Sequence, residues 1–149
     1  MEYWPDAIWK PNTKYDLYKL IKYLPQSLLT CNLNWVDTSD ITDMTQLFHG
    51  SDFNGDISRW DVSHVENMRE MFCASTFNED ISGWNVSNVT NFSHMFMLSE
   101  FSRDLTPWVK NGYMTKDEAF KWNLNRYMYY LDIIKESYDF NSIDHDNTE

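Results

Sequence analysis

No stretch of this chain approaches the roughly 18 apolar residues that a membrane-crossing helix needs, so a membrane span is not expected. The opening residues, Met1-Glu2-Tyr3-Trp4-Pro5-Asp6, bring an acid and a proline early and no cationic segment followed by an apolar one, and so do not read as an export signal. Cysteine is scarce. Cys31 and Cys73 lie far apart with no His or Cys at ligand spacing, which argues against zinc and favours two buried thiols in a reducing cytoplasm, while the spacing gives a disulfide no support. Positive charge is also in short supply: the 149 residues hold 12 Lys and Arg against 23 Asp and Glu, a formal net charge of −11. Residues 34–104 are the acidic part, with twelve acids against Arg59, Arg69 and Arg103, or −9. Such a surface repels a phosphate backbone, which excludes direct nucleic-acid binding and favours basic partners, chiefly through their rate of encounter.

What is present is a period. Phe-Asn-Gly-Asp-Ile-Ser-Arg-Trp at Phe53–Trp60 returns at Phe77–Trp84, and more weakly at Phe101–Trp108, each time after 24 residues. Aligned this way, the large residues fall into columns: Phe48, Phe72 and Phe96; Phe53, Phe77 and Phe101; Trp60, Trp84 and Trp108. Val65, Met68, Met71 and Phe72 sit at i, i+3, i+6 and i+7, the spacing of one helix face, whereas Ile57 and Val62 among Asp, Ser and Trp read as a very short strand and turn. The fold expected is therefore an α/β repeat solenoid of about three 24-residue units, each a strand or turn plus a short helix, with helical caps at both ends.

The polar columns invite a comparison with calcium loops. Asp56, Asp80 and Asp104 recur with Ser58, Ser82 and Thr106, but the glycine such loops require appears only at Gly55 and is replaced by Glu79 and Arg103. Capping of turn backbone is the reading preferred for them. Ser39, Ser63 and Ser87 precede the helical stretches, and Glu66 follows Ser63 as in a capping box.

The ends read as caps. Residues 12–23 open on Asn12 and Thr13, place Leu17, Leu20 and Ile21 on one face and are followed by Pro25; Trp35 stands one residue out of register with the tryptophan column. Thr115 and Glu118 open a helix to about Glu136, with Phe120, Leu124, Met128, Leu131 and Ile134 as its apolar stripe. Trp122, Tyr127 and Tyr130 exceed what that stripe requires and are candidate interaction anchors. The organisation expected is one domain over residues 1–138, with an N-terminal cap (1–36), repeats (37–108) and a C-terminal helical cap (109–138), then a disordered acidic tail (139–149).

Asp56 to Phe72, Asp-Ile-Ser-Arg-Trp-Asp-Val-Ser-His-Val-Glu-Asn-Met-Arg-Glu-Met-Phe, resembles the short repeats of the BspA-like leucine-rich-repeat surface proteins, known from bacteria, phages and large DNA viruses. The segments Lys10–Leu17 and Asp37–Met44 are similar to that family's N-terminal unit, so the resemblance covers about residues 10–108. It implies an interaction module, in surface members an adhesin, with no catalytic residues. Those members carry an export signal or a lipid-attachment cysteine; this chain shows neither, which points to the cytoplasm of a bacterial or host cell.

Catalysis needs a nucleophile, base or metal set brought together in space. His49, His64 and His94 fall in three different columns, His145 lies in the tail, and no glycine-rich phosphate loop, nucleophile elbow or metal motif accompanies them. The chain is read as a non-enzyme without a cofactor. Two roles remain: a protein-binding module presenting variable columns (Thr45, Arg69, Ser93 and Gln46, Glu70, His94), and an acidic decoy that inhibits a host nucleic-acid-binding protein. Arg69, Glu70 and His94 are therefore the candidate contact residues within the repeats.

Overall fold

Thr13 opens the first helix. Its hydroxyl accepts the Asp16 amide at 3.2 Å while an Asp16 carboxylate oxygen accepts the Thr13 amide at 3.1 Å, a closed capping box that starts α1, Lys14–Lys22. Leu17 and Ile21 are buried against the core, and after Pro25 the chain makes one 3₁₀ turn, Gln26–Leu28. The N-terminal helix thus forms where the sequence placed it. The computed structural model describes residues 8–115.

From Ile41 onward the outcome differs from expectation. Among the described residues the only α-helices are α1 and α2, Thr106–Lys110, and there is no strand; parallel pairing is reduced to isolated bridges of Trp9 with Val36, Asp43 with Asn67 and Asn67 with Asn91. An α/β solenoid of strand-plus-helix units is therefore not what forms.

The physical reason lies in two columns of left-handed residues. Gln46, Glu70 and His94 have φ of 58°, 54° and 56°, and Gly50, Ala74 and Leu98 have φ of 65°, 54° and 59°. A left-handed residue cannot continue a right-handed helix. The chain instead runs as successive turns: the carbonyls of Met44, Met68 and Phe92 accept the amides of Leu47, Met71 and Met95 at 3.1–3.2 Å, and those of Gln46, Glu70 and His94 accept the amides of His49, Cys73 and Met97 at 3.1 Å. Consecutive turns of this kind also return an apolar side chain every third or fourth residue, so they imitate a helix face. Ser63 accordingly caps no helix; its hydroxyl bonds to Asp61 at 2.6 Å, and the Glu66 amide donates to the Thr42 carbonyl.

These turns stack as three tiers. The amides of Met44, Gln46, Phe48 and Gly50 donate to the carbonyls of Asn67, Arg69, Met71 and Cys73 at 2.8–3.0 Å, and those of Met68, Glu70, Phe72 and Ala74 donate in the same register to Asn91, Ser93, Met95 and Met97 at 2.8–2.9 Å. Inside, the aromatic columns stack. Phe48 and Phe72 have ring centroids 5.2 Å apart, Phe72 and Phe96 5.7 Å, Phe53 and Phe77 6.5 Å, and Phe77 and Phe101 6.3 Å, all within 11° of parallel. The Trp60 and Trp84 indoles donate to the carbonyls of Leu33 and Ile57 at 2.9 and 3.1 Å, while Trp108 is buried within α2. Val36, buried 24 residues before Trp60, takes the tryptophan place in the N-terminal segment, and Trp35 is left half-buried beside it.

Ala74 supplies a test of the left-handed columns. It is exposed at φ 54°, in the place Gly50 fills in the first tier. Relief of that strain outweighs the added freedom of the unfolded chain, so Ala74→Gly should stabilise the fold by about 0.5–1 kcal/mol in urea unfolding. Ala→Gly in an ordinary backbone conformation destabilises, so a loss of stability here would remove the left-handed assignment.

Candidate interaction face

Side chains two residues upstream set the outward-facing corners of the tiers. An oxygen of Asp43, Asn67 or Asn91 accepts the amide of Thr45, Arg69 or Ser93 at 2.8–3.0 Å, an Asx turn repeated in each tier. The same device recurs elsewhere. Asp37, Asp61 and Asn85 cap Ser39, Ser63 and Ser87, and Asp56, Asp80 and Asp104 cap Ser58, Ser82 and Thr106. The hydroxyl and then the amide of the serine two residues on hold the Asp37, Asp61 and Asp80 carboxyls below the usual range, so these groups are ionised while capping. Among the described residues no group of three or more His, Cys, Asp and Glu is placed to hold a metal ion. Both cysteines are free thiols, raised in pKa by burial.

The turns carry Gln46, Glu70 and His94 in line, and the Gln46 and Glu70 side chains meet. Gln46 Nε2 donates to Glu70 Oε2 at 2.5 Å, and Arg69 reaches Glu70 Oε1 at 2.7 Å. Glu70 is held below its ordinary pKa first by the Gln46 bond and then by the positive sides of Arg69, His49 and His94. Arg69, Glu70 and His94, singled out on two columns of the sequence, therefore form one cluster. His49 joins it, although its column differs, because the turn bond from its amide to the Gln46 carbonyl folds it back alongside. The three-residue spacing from Gln46 to His49 was the available signal, since residues three apart are neighbours in a helix and in a turn alike. His64 stands apart, its ring beside the Ser63 hydroxyl at 3.4 Å.

Next to this cluster, between α1 and the first tier, are two adjoining clefts. One, of about 450 Å³, is lined by Thr13, Lys14, Tyr15, Tyr18, Thr45, Gln46 and His49. The other, of about 340 Å³, shares Tyr18 and His49 and continues past Lys22, Leu24, Leu47 and Asp52. Tyr15 stacks on Tyr18 at 6.5 Å yet stays 65% exposed, with Lys19 over its ring at 4.8 Å. A Lys14–Asp43 ion pair of 3.2 Å ties the helix to the tier. The tyrosines were not singled out in the sequence, where the leucine and isoleucine stripe of α1 accounted for the helix.

Trp122, Tyr127, Tyr130, all of the helix read from Thr115 to Glu136 beyond Thr115 itself, and the tail 139–149 lie outside the described residues. A family model described as Mycoplasma protein of unknown function, DUF285, matches residues 20–142. The chain belongs to this family. The match starts within α1 and runs through all three tiers of the DUF285 chain, so it contains the Arg69–Glu70–His94 cluster but not Tyr15 and Tyr18. No curated protein and no solved structure matches. Among the described residues of this DUF285 member, no helix is long and apolar enough to cross a membrane.

Proposed function

We propose that this chain is a non-enzymatic protein-binding module whose contact face is the outer row of Gln46, Glu70 and His94, with Arg69, His49 and the tyrosines of α1 beside it. The observation that carries this reading is a contrast between interior and exterior. Backbone bonds and core aromatics recur from tier to tier, while the row that faces outward changes from Gln to Glu to His on the same fixed backbone. A constant frame with varied outward side chains is the arrangement of a recognition surface. The likeness of Asp56–Phe72 to BspA-like repeats supports an interaction role. The charge of −9 over residues 34–104 favours a basic partner.

Affinity capture from the native cell tests this, with the intact chain compared with an Arg69→Ala, His94→Ala variant whose thermal unfolding is unchanged. The variant should retain a given partner at least tenfold less well, in line with the loss of an arginine anchor; equal retention would overturn the assignment of this face. The decoy reading predicts something else, namely capture of a nucleic-acid-binding protein that is released by added DNA or RNA and falls steeply with salt. The acids committed to Asx turns favour the module over the decoy.

A further inference from the structure

Within the turns the bonds between tiers run one way, although just before and just after them the Glu66, Thr90, Thr76 and Glu100 amides donate back to the preceding tier. In each tier alternate amides point to the following tier, and the carbonyls between them point to the preceding one: those of Asn67, Arg69, Met71 and Cys73 accept from the first tier, and those of Asn91, Ser93, Met95 and Met97 from the second. The first tier carries the same carbonyls, on Asp43, Thr45, Leu47 and His49. What precedes it is α1, and a helix past its first turn commits its amides to its own carbonyls. Among the described residues no backbone amide reaches these four oxygens.

From Met44 to Gly50 the edge also has no backbone amide of its own to offer. Met44, Gln46, Phe48 and Gly50 give theirs to the second tier, and the amides of Thr45, Leu47 and His49 go to Asp43 Oδ1, the Met44 carbonyl and the Gln46 carbonyl. Two copies of the chain therefore cannot pair Met44–Gly50 with itself, and whatever fills the edge there must bring donors. Beside it open the clefts of about 450 and 340 Å³ lined by Tyr18, Thr45, Leu47 and His49, room for a short main-chain segment but not for a whole 24-residue unit.

We propose that this edge receives a short backbone segment of a partner polypeptide, which lies between α1 and the first tier and donates alternate amides to the carbonyls of Asp43, Thr45, Leu47 and His49. The segment continues the register already used twice inside the molecule, and main-chain bonds of this kind supply affinity while neighbouring side chains set specificity. The inference rests on the protein-binding reading and names the form in which the partner enters.

The probe is a synthetic peptide of residues 65–76, whose Met68, Glu70, Phe72 and Ala74 amides make these bonds inside the fold. It is titrated into the isotope-labelled full chain and followed by NMR up to millimolar concentration. Shifts centred on Asp43–Gly50 and Tyr15–Lys22 are expected. N-methylation of the four donor amides should weaken binding at least tenfold, since each lost bond removes a measurable share of the affinity, while N-methylation at Val65 should not. Silence at millimolar peptide, shifts centred elsewhere, or undiminished binding by the N-methylated peptide would each overturn the proposal. Capture that still depends on Arg69 and His94 in that event would leave the module reading standing, so the two failures are distinguishable.

Discussion

Replacing Trp84 with alanine is expected to lower stability by about 3–5 kcal/mol, a large part of what holds a domain of this size together. Trp84 is almost fully buried in the second tier, with its ring 6.4 Å from Phe72. The alanine variant would open a cavity in the continuous aromatic core and would also remove the indole bond to the Ile57 carbonyl at 3.1 Å, leaving that carbonyl the Trp60 amide as its other donor. The second effect is the smaller one, about 0.5–1.5 kcal/mol for a lost hydrogen bond whose acceptor stays paired. Trp84→Phe separates the two effects. It refills most of the volume without restoring the indole bond, and should fall between wild type and alanine in urea unfolding. Unchanged unfolding of the alanine variant would mean that the tiers do not depend on their shared aromatic core.

How far the sequence could be read follows from what each residue type reveals. The Phe and Trp columns were legible because burial demands the same large apolar residue in every tier, and α1 was legible because Thr13 and Pro25 mark its ends. The paired Asp and Ser columns were legible as turn caps for a similar reason: a short acceptor two residues before a hydroxyl has few other uses. The turns themselves were not. Their defining feature is a left-handed backbone at Gln46, Glu70 and His94 and at Gly50, Ala74 and Leu98, and of these six only glycine announces such a conformation. With that hidden, the spacing of Val65, Met68, Met71 and Phe72 read as a helix face, and Ile57 and Val62 read as a strand. The same error need not have hidden His49, since residues three apart are neighbours in a helix and in a turn alike. Arg69, Glu70 and His94 survived it because residues 24 apart align whatever the local backbone is. The clefts were beyond reach of the sequence, depending as they do on where α1 lies against the first tier.

Gly55→Ala should cost about 3 kcal/mol or more, although it adds a single methyl group. A Cβ at this position would lie 1.9 Å from the Cys31 carbonyl oxygen and 2.7 Å from the Phe53 ring. Neither neighbour can move away freely. The segment Leu29–Leu33 is held beside Phe53–Ile57 by the Asn54 amide on the Leu29 carbonyl at 2.8 Å and the Leu33 amide on the Asp56 carbonyl at 2.9 Å, and Phe53 is fully buried in its stack. This crossing also accounts for the column in which glycine gives way to Glu79 and Arg103. Leu29–Leu33 lies against the first tier alone, so the later tiers accept long side chains there, and Arg103 uses its own to donate to the Asn78 carbonyl at 2.7 Å. Gly83 provides the internal control, because no atom lies within 4 Å of a Cβ built on it. Gly83→Ala should change stability by no more than about 0.5 kcal/mol. Equal midpoints for the two variants in urea unfolding would show that Cys31 does not press on Gly55, and with that the seating of the N-terminal segment on the first tier would fall.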